Sequence, residues 1–277
     1  MPSLSRAQKQ KRLMAILQAY ERLAVAFSGG VDSTFLLAAA RGALGDGVAA
    51  VTVDAPIHSR RELREAGEIA GMLGVRHLVV PLAEISAPEF AANPPDRCYA
   101  CKRILFAKIF QAAAGFGAQR VAHGANLDDL SDYRPGLKAA EEMGVVAPLA
   151  EAGLNKADIR ALSRRMGLPT WNKPSMACLA SRIPYGRPIT AQSLTMVEAA
   201  EEILQGLGFS GTRVRHHGDV ARIELAVRDM QKAMRPAVRA FISEKLKGIG
   251  FTHVSLDLDG YLTGSLNRAL KNKCGRV

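Results

Sequence analysis

The chain has 277 residues, 48% hydrophobic and 23% charged, with a formal net charge of +11 and a pI of about 9.8. That balance is globular, and the length allows one large domain or two smaller ones. No run of about 18 apolar residues occurs, which excludes a membrane-spanning helix, and the apolar stretch Leu13 to Leu17 is too soon broken by Gln18 and Glu21 to be a signal-peptide core.

The cytoplasm is therefore the expected compartment. A basic excess suits nucleic acid, a membrane surface or an anionic small substrate. Here Lys and Arg are spread along the chain and aromatic residues make up only 5%. The charge therefore favours RNA over a nucleotide-sized substrate only weakly, and no basic, aromatic-rich tract of the RNA-binding kind is visible to support it.

The first half alternates strand and helix signals. Leu23 to Phe27 is a short apolar run, as expected of a strand buried on both faces. The loop Ser28 to Gly30 follows, then a helix from Asp32 to Leu44. Val48 to Val53 is a second strand, Ser59 to Leu73 a helix, and His77 to Pro81 a third strand. Cys98 to Ala114 reads as a helix and Arg120 to His123 as a fourth strand. Asn155 to Met166 reads as a helix with Asn155 as its cap and Asp158 three residues on.

This order predicts an α/β fold with a doubly wound parallel sheet. Ligands then bind beyond the carboxyl ends of the strands, where Ser28, Asp54 and the segment Gly124 to Asp129 fall. The loop from Pro169 to Pro188 is rich in special residues and marks a domain boundary, giving domains 1–187 and 188–277. The second reads as a helix (Thr190 to Leu204), a strand (Thr212 to His217), a turn at Gly218-Asp219, a strand (Ala221 to Ala226), one helix (Arg228 to Lys247) and a strand (Thr252 to Leu258). That is a small α+β domain.

The segment Ser28-Gly29-Gly30-Val31-Asp32-Ser33 sits between a strand and a helix. Its glycines let backbone N–H groups approach an anion. The helix N-terminus adds about 0.3–2 kcal/mol for a nearby negative charge. Ser28 and Ser33 supply hydroxyls, and Asp32 is a candidate Mg²⁺ ligand. A Walker loop ends in Gly-Lys-Ser/Thr, and this one has no lysine. It looks like the loop of the ATP pyrophosphatases, which leaves the α-phosphate of ATP open to attack. A plain strand-to-helix turn with polar caps is the competing reading.

More specific segments are Arg97 to Lys102 (RCYACK), Gly124 to Gly136 (GANLDDLSDYRPG), Leu168 to Gly186 (LPTWNKPSMACLASRIPYG) and Arg213 to Glu224 (RVRHHGDVARIE). With the phosphate loop they resemble the LarE family, the ATP-dependent sulfur transferases that mature the nickel-pincer nucleotide of lactate racemase. The resemblance implies a PP-loop ATP pyrophosphatase fold and a stepwise reaction. ATP adenylates a carboxylate of a pyridinium biscarboxylate mononucleotide, and sulfur then displaces AMP to leave a thiocarboxylate.

The position matching the sacrificial cysteine of some members is Cys178. Other members add a Cys-x-x-Cys pair, here Cys98 and Cys101, and hold a [4Fe-4S] cluster with the three cysteines. The three-cysteine pattern favours that cluster; a zinc site, a redox dithiol or helix packing remain open for the pair. Lys102 lies beside the pair, and Arg182 with Lys173 lies near Cys178, so each is a candidate to favour a thiolate. Cys274, close to the C-terminus, reads as an incidental thiol.

Asp54 is a candidate for ribose or adenine. Asn126, Asp128 and Asp129 suit Mg²⁺ binding, nucleotide orientation or simple turn chemistry. Asp132 and Arg134 suit the site or an internal ion pair. Arg213 and Arg215 alternate on one strand face, an arrangement that suits a phosphate clamp, and the resemblance assigns them to the substrate phosphate. It assigns Glu201 and Glu224 to a metal near the substrate. Homo-oligomerisation is expected from the same resemblance. The alternative function is a tRNA thiolase using the same loop.

Overall fold

The computed structural model describes residues 4–85, 87–131, 134–174 and 177–262. Asp132 and Cys274 lie outside them. Contacts divide the chain into two compact units, Met1–Phe90 with Pro95–Met176, and Ala91–Pro94 with Ala177–Val277.

The first unit opens with helix α1 (Arg6–Gln18), followed by β1 (Leu23–Ala26), α2 (Val31–Leu44), β2 (Val48–Asp54), α3 (Arg60–Met72) and β3 (Arg76–Pro81). After the short α4 (Pro88–Ala91) come α5 (Arg97–Phe116), β4 (Arg120–Ala122), α6 (Pro135–Glu142), α7 (Pro148–Glu151) and α8 (Lys156–Arg165). The four strands form one parallel sheet in the order β3-β2-β1-β4. The expected α/β fold is therefore present.

The apolar character of Val48 to Val53 explains β2's place inside the sheet, where those residues are all buried. Edge strand β3 is more exposed, with Val79 48% accessible. Helix α2 is buried continuously from Ser33 to Ala40. Its small residues let it sit between α1 and the sheet, with Leu13, Leu17, Leu23, Val25 and Leu36 in the same core. The strand order reverses direction between β1 and β4, which puts the switch point of the sheet beside the loop after β1.

Helix α1 was not legible as an element, although Ser5 and Gln8 form its capping box. Helices α6 and α7 were also missed. Each begins on a proline at its N-terminus, Pro135 and Pro148, where the absent N–H costs nothing.

The second unit contains α9 (Ala191–Gly206), β5 (Arg213–His216), β6 (Val220–Glu224), α10 (Val227–Ala233), α11 (Pro236–Ile249) and β7 (His253–Leu256). Strand β6 is central, antiparallel to β5 and parallel to β7. Its core joins Ala200, Leu204 and Phe209 to Val214, Ile223, Leu246 and Phe251. The single helix expected from Arg228 to Lys247 is two. Pro236 starts α11, and Arg235 before it is extended (φ −57°, ψ 134°), as a residue preceding proline must be.

Residues 177–187, placed by the sequence reading in the first domain, group here with the second unit. Asn93 accounts for part of this. It is fully buried, has φ +58°, and its Nδ2 donates to the carbonyls of Ile183, Pro184 and Arg187.

Candidate active site

Beyond β1 the chain turns through Gly29 at φ +65°, a conformation glycine adopts without strain. A Cβ there would meet the backbone of Ala66 in α3 at 3.2 Å. The Ser33 hydroxyl donates to the Gly30 carbonyl (3.2 Å) and lies 3.2 Å from the Ser28 hydroxyl, so the two serines close the loop on itself. Gly30 is the N-cap of α2 and provides no side-chain cap. The first N–H groups of α2, from Val31 onward, thus lack the usual side-chain acceptor and are suited to an anion. Gly124, after β4, abuts this turn: a Cβ there would lie 2.9 Å from the Ser33 nitrogen. The bare glycine leaves room for the first turn of α2.

Asp32 stands in that first turn. Its Oδ2 takes an ion pair from Lys156 at the start of α8, while Oδ1 is buried with no hydrogen-bond partner. Burial pushes the Asp32 carboxyl above its ordinary value, against the pull of the Lys156 ammonium. A buried, unpartnered carboxylate oxygen is a fitting ligand for a hard cation. Mg²⁺ takes one or two carboxylates and completes its shell with phosphate and water, so a single such oxygen beside a phosphate loop suffices. Arg160 and Asp129 also contribute to the potential at Asp32.

The neighbouring residues are committed to turn and cap chemistry. Asn126 Oδ1 accepts from the Asp128 N–H (3.0 Å), and Asp129 Oδ2 from the Asn126 N–H (3.0 Å). Asp129 also pairs with Arg134. Asp128 Oδ2 accepts from the Lys156 N–H (2.9 Å), and Asn155 Oδ1 from that of Asp158 (2.8 Å), so the start of α8 is held at two points. Asp54, at the end of β2, pairs with Arg60 (2.7 Å).

Lys173 reaches the phosphate loop. Its Nζ donates to the Gly29 carbonyl (3.0 Å) and to Glu65 (2.7 Å). That pairing, together with Arg61, holds the Glu65 carboxyl below its ordinary value despite partial burial. Arg160 fixes the same stretch through the carbonyls of Trp171 and Lys173, each at 2.8 Å. The Trp171 ring is packed under Arg164 (5.0 Å).

Cys98 and Cys101 lie one turn apart at the start of α5, Cys98 exposed and Cys101 buried. Residues three apart share a helix face, so the pair supplies two thiols to one side. Lys102 stands over the Phe106 ring (5.4 Å). Burial, reinforced by Lys102, pushes His123 down to about 4. Among the described residues, no group of three or more His, Cys, Asp and Glu side chains could hold a metal ion.

In the second unit Cys178 precedes a short 3-10 turn, Leu179–Arg182. Arg182 donates to the Cys178 carbonyl (3.0 Å) and forks onto Glu201, with both contacts at 2.9 Å. Glu201 Oε1 also accepts from the Val214 N–H (3.0 Å). Arg215 forks onto fully buried Glu224 (3.0 and 2.8 Å) and donates to the Ser181 carbonyl (2.8 Å). Arg222 shares Glu224 and pairs with Asp257. Arg213 lies over the Tyr261 ring at 5.1 Å, its guanidinium pKa lowered by burial. The two arginines and two glutamates named from the sequence are thus brought together, and both glutamates are engaged by guanidinium groups. Sequence reasoning missed Lys156 and Glu65. The signal for Lys156 was its place directly after the cap Asn155, but its partner Asp32 is 124 positions away.

Residues 22–92, which carry the phosphate loop, match the family model described as queuosine biosynthesis protein QueC. The chain is 31% identical over 193 residues to the tRNA-specific 2-thiouridylase of Xanthobacter autotrophicus, covering 55% of this chain and 49% of that one. The parallel sheet, lysine-free phosphate loop and switch-point aspartate define an ATP-using enzyme of the PP-loop class. An uncharacterized protein of Synechocystis sp. is 39% identical over 262 residues, 95% of this chain and 98% of its own length. The pyridinium-3,5-bisthiocarboxylic acid mononucleotide synthase of Lactiplantibacillus plantarum is 37% identical over 265 residues, 95% of each chain. The chain belongs to the LarE family, of which that synthase is a member.

Proposed function

We propose that this protein uses ATP to convert a carboxylate of pyridinium-3,5-biscarboxylate mononucleotide into a thiocarboxylate for nickel-pincer cofactor synthesis. The observation that carries the reading is the near full-length similarity to the Lactiplantibacillus plantarum synthase, on a fold whose phosphate loop keeps its helix N-terminus without a side-chain cap.

The loop and α2 hold the β- and γ-phosphates, and Asp32 Oδ1 would hold a Mg²⁺ ion that would supply charge neutralisation there. A substrate carboxylate oxygen attacks the α-phosphorus. The bond to the bridging oxygen breaks, and pyrophosphate leaves with the electron pair. Arg213 and Arg215 orient the substrate phosphate; Glu224 is the counter-charge of Arg215, and Glu201 that of Arg182. A sulfur nucleophile then adds to the acyl carbon of the acyl-adenylate, and AMP leaves with the other pair.

The sulfur would come from sulfide supplied by a cluster, which Cys98, Cys101 and Cys178 would hold, or from Cys178's own thiol. What supports the cluster is the Cys-x-x-Cys pair, which a sacrificial donor would not require. In the sacrificial route the Cys178 thiolate displaces AMP. Loss of its α-proton then breaks the Cβ–S bond, leaving dehydroalanine and the thiocarboxylate.

The test is iron and acid-labile sulfide in protein purified without oxygen, with Cys178→Ala beside it. About four irons per chain, lost on replacing Cys98 or Cys101, is the expected result. Cys178→Ala should lose sulfur transfer while keeping ATP–pyrophosphate exchange. No iron after anaerobic reconstitution would return Cys178 to the sacrificial role, and the chain's mass should then fall by one H₂S after its single turnover. The tRNA-thiolase alternative predicts lost thionucleosides on deletion, and we expect none.

A further inference from the structure

The phosphate loop carries a charge problem. Its one ionisable residue is Asp32, an anion, yet it must bind a triphosphate with several negative charges. A Walker loop answers with its own lysine; this loop has none. The structure brings two lysines to it from outside. Lys173 commits its ammonium to the Gly29 carbonyl and Glu65, so it braces the loop backbone. Lys156 is different. Its ammonium rests on Asp32 Oδ2 and is about one-third exposed, on a helix start anchored at its backbone by Asp128 and one residue before by the Asn155 cap.

We propose that Lys156 is a catalytic residue of this site, the lysine that the loop lacks, and that it contacts the β- and γ-phosphates of ATP. This rests on the ATP reading above and adds a residue to it. Before nucleotide binds, Asp32 holds the ammonium in place. With nucleotide bound, the Lys156 ammonium moves from Asp32 to phosphate oxygens on its flexible four-carbon stem, freeing the carboxylate that would hold Mg²⁺. As the bond between the α-phosphorus and the bridging oxygen breaks, charge grows on the departing pyrophosphate. A charge-assisted hydrogen bond from Lys156 stabilises it there without any proton transfer.

The test compares wild type with Lys156→Ala and Lys156→Arg, using three readouts: kcat for AMP formation, the Kd of α,β-methylene-ATP, and the Kd of AMP. AMP lacks both outer phosphates, so it reports on the rest of the nucleotide site. For Lys156→Ala, kcat should fall about 100-fold, the scale of losing one transition-state donor. The analogue should bind about tenfold more weakly, with AMP binding unchanged. Lys156→Arg should recover most of the analogue's affinity. If Lys156→Ala stays within twofold of wild type in kcat and analogue affinity, the assignment is wrong. If AMP and the analogue weaken equally, Lys156 supports the fold only, and the assignment is again wrong. If wild type itself binds no analogue, the ATP reading fails, and this assignment with it.

Discussion

Glu224 has no exposed surface, and Arg215 and Arg222 both hydrogen-bond to its carboxylate. Removing one partner of a buried pair leaves the other charge stranded, at a cost of about 3–5 kcal/mol. Glu224→Gln keeps the shape and removes the charge. We expect it to destabilise the second unit by about 3 kcal/mol, read as a lower urea midpoint at unchanged m-value. A shift below about 0.5 kcal/mol would mean that the pair contributes little to folding. Residues of this kind were only half legible in the sequence. Arg213 and Arg215 are two apart on a strand and announce a shared face, and the register of β5 on β6 puts Glu224 beside them. The fork between Arg182 and Glu201 was not predictable, because nothing in residues 19 positions apart encodes which carboxylate a guanidinium meets.

Among the elements, α8 has the clearest link between local sequence and site. Asn155 caps it, and the next residue delivers an ammonium to Asp32. Asn155→Ala should cost about 1 kcal/mol through the lost cap and loosen the start of the helix. The expected signature is a raised KM for ATP together with a small fall in Tm; an unchanged KM would uncouple the cap from the site. Elements with one dominant signal were readable from the chain alone. Strand β1, the glycine loop and α2 follow one another as apolar run, glycines and helix former. Helix α1 was hidden because only Leu13 and Leu17 are buried along it. The break between α10 and α11 is written in Pro236, which cannot continue a helix and opens the next one.

For the whole molecule, burial lowers the pKa of His58, His77, His123, His216 and His217. His123 is pushed from 6.5 to about 4. The unfolded chain therefore takes up protons below pH 6.5 that the folded chain does not, so stability falls as pH drops from 6.5 toward 4. His123 alone amounts to about 3 kcal/mol by the end of that window. Below it, the lowered carboxyls of Glu65 and Asp158 add to the loss as they protonate, and the raised Asp32 opposes it. The expected result is a Tm that declines steadily below pH 6.5 and is nearly flat from 7 to 8. A His123→Gln variant should show the shallower slope, and an identical slope would remove His123 as a cause.

Asn93 sets a limit on how this gene can be dissected. Its amide serves three carbonyls of the second unit, yet it is encoded within the stretch that otherwise builds the first. A fragment starting at residue 177 would leave those carbonyls without their donor. The second unit is thus discontinuous in sequence, and recombination at a single breakpoint cannot move it intact to another protein.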